Sequence, residues 1–328
     1  MSSGGLLQGG KRRRPRRFRG PFAALLALCA VTAAVYLLLS ASVGSHDHRT
    51  TREPAAAVAA PRLHHVPHTY GVRPAPPGER VRADFRKPPG AGLLFDLRTG
   101  RVLWTRGMGR RLPIASLTKM MTALVVVAHV RPTGRVLITR QALNYRGSGV
   151  GVLPLGRRIP VETMLYGLLL VSGNDAAIAL AQRVSGRVSS FVRLMNDEAH
   201  SLGLRCTRFS SPDGLRDQGN YSCARDLAII ARELLRRPRL ARIVRTRRKV
   251  LPFPIRGGRL DLFNHNPLLR ARYPGTDGVK TGYTYKAGRC LVAAAHRGRK
   301  RLGVVILHSL DPPGQAATLF ARGFRKLR

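Results

Sequence analysis

Residues 279–308, VKTGYTYKAGRCLVAAAHRGRKRLGVVILH, reveal what kind of domain this chain builds. Three short apolar or alternating runs, 279–284, 290–296 and 302–308, are separated by segments rich in Gly, Lys and Arg. Runs of this length bounded by turn-forming residues read as strands, and connections this short join strands antiparallel. Residues 297–301 make the turn between the last two. Far upstream, 92–97 and 101–105 flank Arg98-Thr-Gly100 and read as a hairpin whose glycine supplies the turn. Between these two regions the periodicity becomes helical, predicting helices over 115–128, 160–170, 175–184, 188–202 and 222–235. A closing helix is expected over 315–327. Strands at both ends with helices inserted between them predict an α/β (α+β) fold, a central antiparallel sheet flanked by helices with an all-helical insert.

This domain is expected to occupy residues 83–328. Ahead of it, 1–20 form a basic tail in which Lys11, Arg12, Arg13, Arg14, Arg16, Arg17 and Arg19 cluster. Residues 21–44 follow as a transmembrane anchor: the stretch 22–43 is almost wholly apolar, and at ~1.5 Å per residue it spans a ~30 Å hydrocarbon core. Basic residues before the span hold the N-terminus in the cytoplasm, which places the domain outside the cell membrane. The other reading of this segment is a cleaved signal peptide cut near Ser40, Ala41 and Ser42, although such apolar cores are usually only about 7–15 residues long. Residues 45–82, rich in proline and histidine, are expected to be an extended linker. Its scattered histidines are read as carrying no metal, and no cofactor is expected.

Composition narrows the function classes. A formal charge of +42 is extreme, yet 44% hydrophobic residues supply a core that a disordered polycation lacks. With 6% aromatic residues there is no stacking platform for nucleic acid, and an extracytoplasmic domain meets none. Spread-out charge of this sign suits anionic headgroups or polymers. No two of the four cysteines form a Cys-x-x-Cys pair, which argues against structural zinc. Most of the basic residues are arginine, so a retained lysine hints that an amine was needed at that position.

Three short motifs carry chemistry. In Ser116-Leu-Thr-Lys119 the spacing puts the amine one helical turn from the hydroxyl, on the same face. A serine needs a base to become a nucleophile, and a lysine can be one if burial and nearby positive charge lower its pKa; an arginine cannot. Ser172-Gly-Asn174 lies in the break between two helices, which presents both side chains to a cleft. Lys280-Thr281-Gly282 lies on a strand, where glycine lets another backbone come close. Taken singly, these are also what a helix cap, an interhelical turn and a strand with a solvated lysine look like. Together, in this order, they form a specific set.

With Pro113-Ile-Ala-Ser-Leu-Thr-Lys-Met-Met-Thr-Ala, Leu165-Tyr-Gly-Leu-Leu-Leu-Val-Ser-Gly-Asn-Asp and Thr276-Asp-Gly-Val-Lys-Thr-Gly-Tyr-Thr around them, the motifs resemble those of low-molecular-mass penicillin-binding proteins of the serine D-alanyl-D-alanine carboxypeptidase family. Ser211-Pro-Asp-Gly-Leu, Tyr221-Ser-Cys-Ala-Arg-Asp and Asn264-His-Asn-Pro-Leu-Leu share the likeness. The resemblance implies a penicillin-binding-protein/β-lactamase-like fold and removal of the terminal D-alanine from peptidoglycan stem peptides. Ser116 would be the nucleophile and Lys119 its base, with Ser172 and Lys280 relaying a proton to the departing D-alanine. Asn174 would position the substrate amide, Lys280 and Thr281 would bind the terminal carboxylate, and Gly282 and Tyr283 would line the site, the Tyr283 N–H with that of Ser116 holding the oxyanion. β-Lactam antibiotics would be trapped covalently. The second β-rich domain and amphipathic tail of many relatives are not expected here, the N-terminal span supplying the anchor.

Two alternatives stand beside this. A β-lactamase needs a deacylating glutamate; Glu198 lacks the motif's context, and Glu162 reads as a helix first-turn residue. A non-catalytic, anchored binder of anionic wall polymer fits the charge and leaves Ser116 and both lysines unexplained. Cys206 and Cys223 flank the 211–215 turn and form either a bridge or two buried thiols. Asp277 is read as fixing a turn or pairing with an arginine.

Overall fold

In the computed structural model, which describes residues 71–327, the strands read at 279–308 form half of a six-stranded sheet. The strands are β1 (Arg73–Pro74), β2 (Ala91–Asp96), β3 (Arg101–Arg106), β4 (Thr276–Thr284), β5 (Gly288–Arg297) and β6 (Lys300–Ser309), in the order β1-β3-β2-β6-β5-β4. Neighbours run antiparallel except β1, which lies parallel to β3. Pairing of β2 with β6 joins the early hairpin to the late meander and sends the intervening helices out as an insert. The longer ones are α1 (Lys119–His129), α2 (Val161–Leu169), α3 (Asn174–Ser185), α4 (Val188–Ser201), α5 (Ala224–Arg236) and α6 (Pro238–Arg245); α7 (Pro312–Lys326) closes the domain.

The pleat sends alternate residues to two cores. Leu94, Leu291, Ala293, Leu302, Val304 and Ile306 pack on Leu319, Phe320 and Phe324 of α7. On the other face Leu93, Phe95, Val292, Ala294 and Val305 join the larger core built by the inserted helices. Burial on both faces is why 290–296 reads as an unbroken apolar run. The first eight residues of α1 are all buried, as expected of a helix that is apolar all round and threads the core.

The domain begins earlier than residue 83, so the expected linker of 45–82 is too long at its C-terminal end. Arg73, Ala75 and Val81 donate their N–H groups to the carbonyls of Gly100, Val102 and Leu103, and Ala75, Val81 and Ala83 are buried. The proline-rich composition misled because β3 offers an open sheet edge and small apolar side chains suffice to cover it. Helix α7 starts at Pro312, ahead of the expected 315, with the Asp311 carboxylate accepting from the Gly314 N–H at its cap. Helix α6 and a ribbon of Arg248–Pro252 with Arg259–Phe263 were not anticipated, because their dense arginines blur the periodicity. The basic cluster, the apolar stretch 22–43 and most of the histidine-rich segment lie outside the described residues. Among the described residues no helix is long and apolar enough to cross a membrane.

Candidate active site

Ser116 lies in a single 3-10 turn, Ala115–Thr118, rather than in the α-helix expected there, and α1 begins at Lys119. Ala115 enters that turn at φ 48°, a left-handed conformation that costs a residue with a Cβ on the order of 1 kcal/mol. The turn keeps the spacing argument intact: Lys119 Nζ lies 2.8 Å from Ser116 Oγ.

Lys119 is fully buried and makes two further bonds, to Asn174 Oδ1 and to the Asp213 carbonyl, both at 2.7 Å. Burial lowers its pKa to about 8 against the opposing pull of Asp213 and Asp175. A neutral amine keeps two N–H donors and one lone pair. Asn174 Oδ1 and the Asp213 carbonyl can only accept, so they take the two donors, and the lone pair is left facing the Ser116 hydroxyl. That is the arrangement of a base.

The Asp213 carbonyl is a functional group that the sequence reading missed. Its turn is held by Ser211 Oγ donating to Asp213 Oδ1 and by Thr122 Oγ1 donating to the Pro212 carbonyl, both at 2.6 Å. Gly214 follows at φ 76°, and a side chain there would collide with the Ala115 carbonyl. The Ser-Pro-Asp-Gly string was a turn signal; what it turns toward was not in the string. Cys206 and Cys223 bracket the segment and form a disulfide, Cα–Cα 5.8 Å, so the bridge is the reading that holds.

Ser172 is nearly buried at φ 64°, between α2 and α3. Asn174 opens α3, and its amide donates to the Arg146 carbonyl at 2.6 Å while accepting from Lys119. Asp175 accepts from the backbone N–H groups of Val150, Gly151 and Ala176. The 146–151 loop is thereby fastened over the cleft and contributes Ser148 to its wall, a residue sequence reasoning did not find.

Strand β4 is the sheet's edge, and it packs along the Ser116 turn. A Cβ on Gly282 would meet the Ile114 carbonyl at 2.9 Å and the Leu117 nitrogen at 3.3 Å. The glycine thus admits the Ser116 turn itself, whereas the sequence suggested room for a ligand. Lys280 is buried and donates to Ser172 Oγ and the Thr281 carbonyl, each at 3.0 Å. Burial, then repulsion from Lys119, holds its pKa well below the ordinary lysine value.

A cavity of about 410 Å³ opens where these elements meet, within the usual size of a small-ligand site. Ser116, Ser172, Thr281, Gly282 and Tyr283 line it, as do Ser148, His265 and Arg289. Asn174 accepts from Lys119 and donates to the Arg146 carbonyl, which commits one of its two amide N–H donors. One expectation changes. Lys280 stands behind Ser172, which leaves Arg289 as the arginine on the cavity wall. Glu198 is away from the cavity on α4, accepting from Ser201, and burial raises its pKa to about 7. Glu162 pairs with Arg239 and Arg242 of α6. Asp277 meets His296 at 3.0 Å and Arg301 at 3.6 Å, the pairing role read for it.

The sequence profile described as D-alanyl-D-alanine carboxypeptidase matches residues 86–310. The chain belongs to the D-alanyl-D-alanine carboxypeptidase family. Among its relatives in this family, the D-alanyl-D-alanine carboxypeptidase DacF of Bacillus subtilis is 37% identical over 227 residues, 68% of this chain and 58% of DacF. DacB2 of Mycobacterium tuberculosis is 37% identical over 72% of this chain and 82% of its own length. The match spans only about 60% of DacF and of DacA of Escherichia coli. Two solved structures of the same fold are a D-alanyl-D-alanine carboxypeptidase of M. tuberculosis and a variant of the DD-transpeptidase of Streptomyces K15. The first has TM-score 0.68 and 34% identity, covering 75% of this chain and 96% of that one. The second has TM-score 0.69 and 33% identity, covering 74% and 100%.

Proposed function

We propose that this protein is a serine acyl-transfer enzyme that removes the terminal D-alanine from peptidoglycan stem peptides. The observation that carries the reading is Lys119: a buried amine with lowered pKa, 2.8 Å from Ser116 Oγ, whose other two partners are fixed acceptors. Ser116 Oγ attacks the penultimate D-Ala carbonyl as Lys119 takes its proton. The backbone N–H groups of Ser116 and Tyr283 hold the oxyanion. The C–N bond then breaks, Ser172 passes a proton from the lysine pair to the departing D-alanine nitrogen, and water releases the acyl group. With Lys280 withdrawn behind Ser172, the terminal carboxylate falls to Thr281 and Arg289, a charge-assisted contact. β-Lactams stop at the first step because their leaving group remains tethered.

The apolar stretch 22–43, preceded by seven basic residues, supports anchoring in the cell membrane with the domain on the outer side. Incubating the full chain with a pentapeptide ending in D-Ala–D-Ala and weighing the products tests the reading. Loss of one D-alanine is expected, together with penicillin labelling that Ser116→Ala abolishes. An unchanged peptide with no penicillin adduct overturns it, and rapid turnover of penicillin with the peptide untouched indicates a β-lactamase.

A further inference from the structure

Helix α7 connects two cavities. Pro312 and Pro313 at its start line the cleft described above. About 20 Å along its axis, at ~1.5 Å per residue, its last turn walls a second cavity of about 540 Å³. Two segments remote in sequence build that cavity: Pro77, Arg80, Val81 and Arg82 from the segment docked on β3, and Arg322, Arg325 and Lys326 from α7. Five of these residues are cations and none is acidic.

The five converge on one concavity from two segments about 240 residues apart in sequence. Like most arginines among the described residues they take part in no ion pair, and Glu79 next to them pairs with Arg101 at 2.6 Å. Two are pre-set by backbone bonds: Arg80 Nε donates to the Ala75 carbonyl at 3.2 Å, and Arg322 donates to the Arg82 carbonyl at 2.6 Å. Each guanidinium carries five N–H donors, so most remain uncommitted. The side chains of Arg82, Arg325 and Lys326 make no hydrogen bond among the described residues, and Arg82, Arg325 and Lys326 are exposed. Gathering like charges around a concavity raises the local potential and is unfavourable without a counter-charge, which an anion entering the concavity would supply. The guanidinium fork matches phosphate oxygens two at a time.

We propose that this cavity, formed by Arg80, Arg82, Arg322, Arg325 and Lys326, binds a phosphate-bearing anion. A free phosphorylated molecule and an anionic lipid headgroup share this chemistry, and the test separates them. Calorimetric titration of the full chain in neutral detergent uses inorganic pyrophosphate in one arm and short-chain phosphatidylglycerol below its aggregation concentration in the other. The pocket variant is Arg82→Ser/Arg325→Ser/Lys326→Ser, chosen because these side chains make no hydrogen bond or ion pair among the described residues. The control is Arg140→Ser/Arg157→Ser/Arg158→Ser, which removes the same charge from exposed positions elsewhere. The expected result is at least tenfold weaker binding by the pocket variant than by the control, with unchanged thermal unfolding in both. If only pyrophosphate binding falls, the anion is a free phosphate; if the lipid arm falls, it is a headgroup. Equal weakening in both variants, or no binding by the parent chain in either arm, overturns the proposal. Penicillin labelling is unaffected in each case, so the result is independent of the proposed catalytic function.

Discussion

Lys280 Nζ donates to Ser172 Oγ at 3.0 Å, tying the edge strand to the turn between α2 and α3 behind the wall of the cleft. The amine is buried there with its pKa held well down, by desolvation first and by Lys119 second. Lys280→Met keeps the volume and removes the cost of burying an amine. Its melting temperature is therefore expected to stay at or above that of the parent. Acylation by a fluorescent penicillin is expected to slow roughly 100-fold or more, because the proposed proton relay through Ser172 is lost. Parallel melting curves and labelling rates check this; a variant that acylates at the parent rate removes Lys280 from the mechanism.

The lowered pKa of Lys119 sets a pH profile. With a value of about 8, roughly a tenth of the amine is unprotonated at pH 7 and most of it above pH 9. With the unprotonated amine as the proposed base, the acylation rate should rise about tenfold across that interval and then level off. Lys119→Arg should show almost no labelling at any of these values. A rate independent of pH between 6 and 9 would contradict the assignment.

Gly282 has no room for a side chain against the Ser116 turn. Gly282→Ala pushes β4 away from Ile114 and Leu117, which costs about 1–3 kcal/mol of stability. Displacing the strand is expected to lower acylation, by about 100-fold if the shift reaches ~1 Å. Denaturant titration and labelling kinetics on the same variant measure both effects.

Glu198 links stability to pH. Its folded-state pKa of about 7 lies above the ordinary 4.5, so the folded protein binds the extra proton. The stabilisation from that proton is complete below about pH 4.5 and is lost as pH rises through 7. Glu198→Gln mimics the protonated form. It should stabilise the protein by about 1–2 kcal/mol at pH 8, allowing for partial solvent screening, and by nothing at pH 4.5. Unfolding curves at the two pH values decide it, and catalysis should not change.

The bridge between Cys206 and Cys223 closes a loop across a separation of 17 residues, and that loop carries the Asp213 carbonyl. Replacing both cysteines with serine is expected to cost about 3 kcal/mol. Non-reducing peptide mass mapping of the parent should find the two linked.

How much of this was legible in the chain follows from distance along it. Ser116 and Lys119 are one turn apart, so local geometry places amine and hydroxyl together whether the turn is α or 3-10. The hairpins and the meander could be read because turns between neighbouring strands are short and glycine-marked. The docked segment at 71–82 could not be read, because its partners on β3 are a property of the sheet edge and its composition is that of a linker.

The sequence by itself determined the five long strands of the sheet, most of the inserted helices, the spacing of Ser116 and Lys119, and the apolar and basic character of the N-terminal region. Only the tertiary structure decided that Asn174 and the Asp213 carbonyl take the two donors of Lys119, and that Lys280 retreats behind Ser172 while Arg289 lines the cleft. Those contacts join residues 55, 94 and 108 positions apart. Across such separations local propensity has no influence, and packing of the helical insert against the edge of the sheet fixes which groups meet.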